Sequence, residues 1–149
     1  MAVTLTPLKQ TYFEDVKVGD EIPGFGYQLT WTEMVKQVSG SQDFYAVHHD
    51  PEFAKSGGHR DIFYNTGWTR AQLFRVLSDF AGPDGWVRKL HFEMRKMNRP
   101  NVNITVKGKV VEKKVTDEGN EVTVEIGIEN DEEGLATPAY GVVFLPSRG

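Results

Sequence analysis

The sequence predicts an α+β domain in which a long antiparallel sheet curls around one buried helix. Two observations carry that prediction. Over 68–81 the apolar residues Leu73, Phe74, Val76, Leu77 and Phe80 recur at helical intervals, and Trp68 and Ala71 extend the stripe upstream. After that helix the pattern switches to alternation, with segments joined by short polar turns, which favours antiparallel neighbours.

The elements follow in order. Residues 1–10 read as a loosely held lead-in, and 11–149 as a single domain. Residues 16–21 suggest a short strand-like piece entering a turn, and the aromatic-rich stretch 25–31 reads as extended. Thr30 and Glu33 match a capping box, so a helix should follow with Met34, Val35 and Val38 inward, stopping at Ser39-Gly40-Ser41-Gln42. Asp50 before Pro51 opens a second, short helix, because Asp caps and Pro wastes no donor in the first turn. Ser56-Gly57-Gly58 ends it.

Ile62-Phe63-Tyr64 leads through Asn65-Thr66-Gly67 into the long helix, and Gly82-Pro83 stops that helix. Four strands are expected afterwards. Residues 86–97 form one candidate. Val102, Ile104 and Val106 begin a second that runs to Val111. Val122, Val124, Ile126 and Ile128 define a third, and 137–145 a fourth. Asp117-Glu118-Gly119-Asn120 and Asn130-Asp131-Glu132-Glu133-Gly134 supply the turns.

Composition narrows the function classes. A net charge of −4 argues against a nucleic-acid binder. The absence of cysteine removes disulfides, thiol nucleophiles and thiolate metal sites, and fits a reducing cytoplasm. The N-terminus lacks the pattern of a signal peptide, and no apolar run approaches the roughly 20 residues that span a bilayer. The expected protein is cytoplasmic, with no membrane partner.

The stretch Asp43-Phe44-Tyr45-Ala46-Val47-His48-His49-Asp50-Pro51-Glu52-Phe53-Ala54 carries the chemistry. Alone, Asp43 reads as a residue that closes its own loop, and His48 as a packed histidine. Together they place a carboxylate and an imidazole in one loop, where they can grip a water molecule. Adding water to a double bond, or removing it, requires such a pair. A metal site at His48-His49-Asp50 is not expected, because adjacent residues seldom share one face and ligand spacing is absent.

This stretch resembles the Asp-x-Asn-Pro-x-His-x-Asp-Pro-x-x-Ala pattern of MaoC-type hydratases, with Tyr45-Ala46 in place of Asn-Pro. The opening Tyr12-Phe13-Glu14-Asp15-Val16-Lys17-Val18-Gly19-Asp20 and the segment Leu29-Thr30-Trp31-Thr32-Glu33 are similar to the same family. The likeness covers roughly residues 11–145 and implies a hot-dog fold. His48-His49-Asp50, Asp61-Ile62-Phe63 with Asn65, and Phe80-Ala81-Gly82-Pro83 resemble the small subunit of actinobacterial hydratases acting on steroid side-chain enoyl-CoA.

The resemblance implies reversible hydration of a 2-enoyl-CoA to a 3-hydroxyacyl-CoA, with Asp43 and His48 catalytic and no cofactor, CoA being part of the substrate. The division of acid and base roles between the two stays open. A backbone N–H at the start of the long helix would meet the developing thioester oxyanion, at Asn65 or at its neighbour Thr66. Tyr45, Phe63 and Tyr64 are candidates for the acyl site. Arg95 and Arg99, facing one way on a strand with Lys96 opposite and Arg88 and Lys89 nearby, are candidates for the CoA phosphates. The expected assembly is a homodimer, or a heteromer with another hot-dog subunit, paired sheet edge to sheet edge. The alternatives are a hot-dog acyl-CoA thioesterase and one subunit of a heteromeric steroid side-chain hydratase.

Overall fold

A computed structural model describes residues 9–149; most of the expected lead-in, residues 1–8, lies outside the described residues. The chain forms strand β1 (Glu21–Gln28), helices α1 (Trp31–Ser41), α2 (Pro51–Ser56) and α3 (Thr66–Ala81), and strands β2 (Trp86–Phe92), β3 (Asn103–Thr116), β4 (Gly119–Asn130) and β5 (Gly134–Phe144). The strands make one five-stranded sheet in the order β1-β3-β4-β5-β2. Every pairing is antiparallel. The expected sheet around a central helix is the observed architecture.

Alternation decides which strand faces point at α3. Val122, Val124, Ile126 and Ile128 of β4 are all buried, as are Ile104, Val106 and Val110 of β3. They meet Leu73, Val76, Leu77 and Phe80 of α3 in one core. Close approach of helix to sheet depends on Gly141 in β5. A Cβ there would lie 2.3 Å from Leu77 Cδ1, so only a glycine lets α3 settle at this depth.

Several local expectations change. Val35 is 63% exposed, because α1 lies flat on the core and buries only Met34 and Val38. The end of α1 falls where expected, within Ser39-Gly40-Ser41-Gln42: the helix runs to Ser41 and closes on a left-handed Gln42 (φ 57°). In α3, Phe74 and Ala71 are exposed, since the buried stripe is narrower than the apolar run suggested. The strand expected over 86–97 ends at Phe92, and the next residues form a loop. Val111 does not end β3; a register shift between Val110 and Glu112 turns it outward, and the strand continues to Thr116.

Candidate active site

Three short devices deliver the functional groups. The left-handed turn at Gln42 swings the chain off the end of α1 and presents Asp43. A 3-10 turn, Ala46–His48, then buries Val47 and His48 beneath the loop. Asp50 caps α2 as expected, accepting from the backbone N–H groups of Glu52 and Phe53. The third device is the entry to α3, where the Asn65 side chain caps the helix by accepting from Trp68 N at 2.8 Å.

These devices bring the Asp43 carboxylate to 3.5 Å from His48 Nε2. His48 is buried and its Nδ1 lies 2.7 Å from the Phe63 carbonyl oxygen. A carbonyl only accepts, so Nδ1 carries the proton in the neutral ring and Nε2 presents a lone pair toward Asp43. The Phe63 ring meets the imidazole edge-on at 5.3 Å and holds its tilt. Asn65 Nδ2 donates to Asp43 Oδ2 at 2.8 Å. That bond holds the Asp43 carboxyl below the usual carboxylate range, against a smaller opposing effect of desolvation.

Asp43, His48, Phe63, Asn65, Thr66 and Met94 wall a recess of about 240 Å³. The first turn of α3 opens onto it. Helix geometry leaves the Thr66 and Gly67 N–H groups without intrahelical acceptors, whereas the Trp68 N–H is already taken by Asn65. A recess of about 290 Å³ on the sheet between Lys107, Lys109 and Glu125 shares no lining residue with the Asp43–His48 pair.

The structure separates the substrate-site candidates. Tyr45 is 62% exposed at the rim of the recess, and Phe63 forms part of its wall. Tyr64 is not available to a ligand: it is 1% exposed, and its hydroxyl donates to the Thr30 carbonyl at 3.0 Å. Burial pushes its phenol further above the ordinary range. Arg95 and Arg99 stand on the loop after β2 rather than on a strand, so strand alternation does not govern their directions. Both line a second recess of about 220 Å³ with Arg60 and Lys96, and Phe63 is common to both recesses. Arg95 also pairs with Glu93, and Arg99 with Glu132. Arg88 is engaged elsewhere, with Glu118.

The sequence reading missed the Asn65 side chain, having assigned that residue only a backbone role. An Asn ahead of Thr-Gly and a helical stripe is an N-cap signal, and the amide of a cap has a second end free to donate. The Phe63 carbonyl was missed as well, and no pattern in side-chain chemistry announces a backbone acceptor. Among the described residues no group of three or more His, Asp or Glu side chains could hold a metal ion. No helix among them is long and apolar enough to cross a membrane.

The fold defines the class: the chain is a hot-dog domain of the kind found in MaoC-like dehydratases and (R)-hydratases. Among curated proteins it is similar to the 3-oxo-4,17-pregnadiene-20-carboxyl-CoA hydratase beta subunit of Mycobacterium tuberculosis, at 30% identity over 73 residues. That match spans 49% of this chain and 57% of the subunit, so it covers a little over half the length of the curated relative. The ChsH1-ChsH2 complex from the same organism contains a similar chain, with a TM-score of 0.77 and 25% identity over 87% of this chain and 98% of that one. The (R)-hydratase from A. caviae involved in PHA biosynthesis superposes with a TM-score of 0.76 over 89% of this chain and 99% of its own, at 17% identity, a likeness of fold. No protein-family model matches the chain. The resemblance noted in the sequence, to MaoC-type hydratases and to the steroid side-chain hydratase small subunit, is thus borne out by independent neighbours.

Proposed function

We propose that this protein hydrates the double bond of a 2-enoyl-CoA, reversibly, to give a 3-hydroxyacyl-CoA. The observation that carries this reading is the convergence of the Asp43 carboxylate and His48 Nε2, 3.5 Å apart, on one recess at the start of α3. A water held between them has its oxygen aimed by the carboxylate and its proton accepted by the imidazole. The oxygen bonds to the β-carbon, and charge moves to the thioester oxygen, where the α3 N–H groups of the first turn can meet it. The pair returns one proton to the α-carbon, so one water is added and no cofactor is consumed. The adjoining recess holds Arg60, Arg95, Lys96 and Arg99 beside Asp61 and Glu133, and Arg60 and Lys96, which are outside the ion pairs of Arg95 and Arg99, suit the phosphates of CoA.

A second reading concerns assembly. The likeness to the ChsH1-ChsH2 complex and to a hydratase beta subunit favours a heteromer with another hot-dog chain. Strands β1 and β2 are the two edges of the sheet and offer backbone groups to such a partner. In that assembly this chain supplies Asp43 and His48, and the partner can shape the acyl site.

The test is a panel of short, medium and sterol-derived enoyl-CoAs, assayed alone and with co-purifying hot-dog partners. Loss of enoyl-thioester absorbance without free thiol supports hydration. Release of free CoA thiol supports the thioesterase instead. Inactivity of every combination on every substrate overturns the proposal.

A further inference from the structure

We propose that Asn65 is a positioning residue whose side-chain amide ties the start of α3 to the Asp43 carboxylate and keeps that carboxylate turned toward His48. The inference rests on the hydration reading and deepens it.

The geometry is over-determined. Asn65 Oδ1 accepts from Trp68 N at 2.8 Å, and Nδ2 donates to Asp43 Oδ2 at 2.8 Å and to Ser41 Oγ at 3.3 Å. A backbone N–H on one side and a carboxylate on the other leave only one orientation of the amide. Asn65 is 6% exposed, so water cannot readily replace these bonds. Ser41 closes the arrangement: its hydroxyl donates to Gln37 O at 2.7 Å and accepts from Asp43 N at 3.4 Å. The last turn of α1, the Asp43 loop and the first turn of α3 are therefore joined through one amide.

The chemical consequence follows from which oxygen Asn65 holds. Oδ2 is also the oxygen 3.5 Å from His48 Nε2. Among the described residues no other side chain donates to Asp43. Without the amide the carboxylate loses both its anchor and the largest influence holding it below the usual carboxylate range. The titratable groups facing it around the recess are His48 and Tyr45; α3 and the loop after β2 contribute Thr66, Gly67 and Met94.

Two variants separate positioning from helix capping. Asn65→Ser keeps a good N-cap and removes the amide donor, and Asn65→Asp keeps the cap and adds a like charge beside Asp43. The Asp43 carboxyl carbon is followed by NMR titration in substrate-free protein, and kcat is measured against pH on the best enoyl-CoA. The midpoint is expected to rise from wild type to Asn65→Ser to Asn65→Asp. In both variants kcat should fall, by up to about a hundredfold, and KM should change less. An unmoved Asp43 midpoint in a folded Asn65→Ser variant overturns the proposal, as does an unchanged kcat. The titration needs no turnover, so failure of the hydration assay and failure of this inference read out separately.

Discussion

His48 Nδ1 lies 2.7 Å from the Phe63 carbonyl oxygen, and this contact sets the proton inventory of the site. The acceptor is backbone, fixed by the segment that enters α3, and cannot rotate away. The neutral imidazole is therefore held with Nε2 free. Nitrogen NMR at a pH where His48 is neutral should show Nδ1 protonated and Nε2 bearing the lone pair. Replacing His48 with Ala should lower hydration by more than about a hundredfold with folding retained, in line with general-base contributions. An Nε2-protonated ring would leave Asp43 as the only base.

Asp43 sits below the ordinary carboxylate range because it accepts from Asn65 and faces His48. Its folded-state value is depressed relative to the unfolded chain. The stability it contributes is present above the unfolded value and is lost as pH falls through the folded one. Thermal melts of wild type and Asp43→Asn should differ most near neutrality and converge in strong acid. Turnover of Asp43→Asn should fall more than about a hundredfold at every pH, since the neutral amide cannot hold the water in the orientation the carboxylate gives it. A gap that widens on acidification would contradict the sign.

What the sequence made legible follows from period and spacing. The alternation at Val122, Val124, Ile126 and Ile128 specified a buried strand face because the side-chain period is two residues. The Thr30 and Asp50 caps were legible because each needs only neighbouring backbone. Of the capping box at Thr30, one half forms, while Glu33 pairs instead with Lys36. Phe74 and Ala71 misled because an apolar side chain on a helix does not say how wide the covering sheet is. Tyr64 misled for a related reason. Next to the site in sequence, it points into the core, and only tertiary packing decides between those two sides. The Asp43–His48 proximity was suggested by spacing, but the Asn65 amide that links Asp43 to α3 comes from 22 residues away.

Tyr64 tests that distinction. Its hydroxyl donates to Thr30 O, which also accepts from Met34 N at 3.0 Å. Removing the hydroxyl therefore leaves no orphaned acceptor. Tyr64→Phe should cost about 0.5–1.5 kcal/mol in denaturant melts and leave kcat and KM for enoyl-CoA unchanged. A KM that rises with stability intact would return Tyr64 to the substrate site.

Gly141 sets how deeply α3 seats against the sheet. A methyl group there would meet Leu77 Cδ1 at 2.3 Å and Cδ2 at 2.9 Å, and Leu77 is fully buried. Gly141→Ala should therefore destabilise by about 1–3 kcal/mol through overpacking. Leu77→Ala alone should cost about 2–5 kcal/mol by leaving a cavity. In the double variant the new methyl occupies space the leucine vacated, so the combined loss should be smaller than the sum of the two. Chemical denaturation of the four proteins in the cycle measures that coupling. Strictly additive losses would show that the helix-to-sheet distance is fixed by something other than this contact.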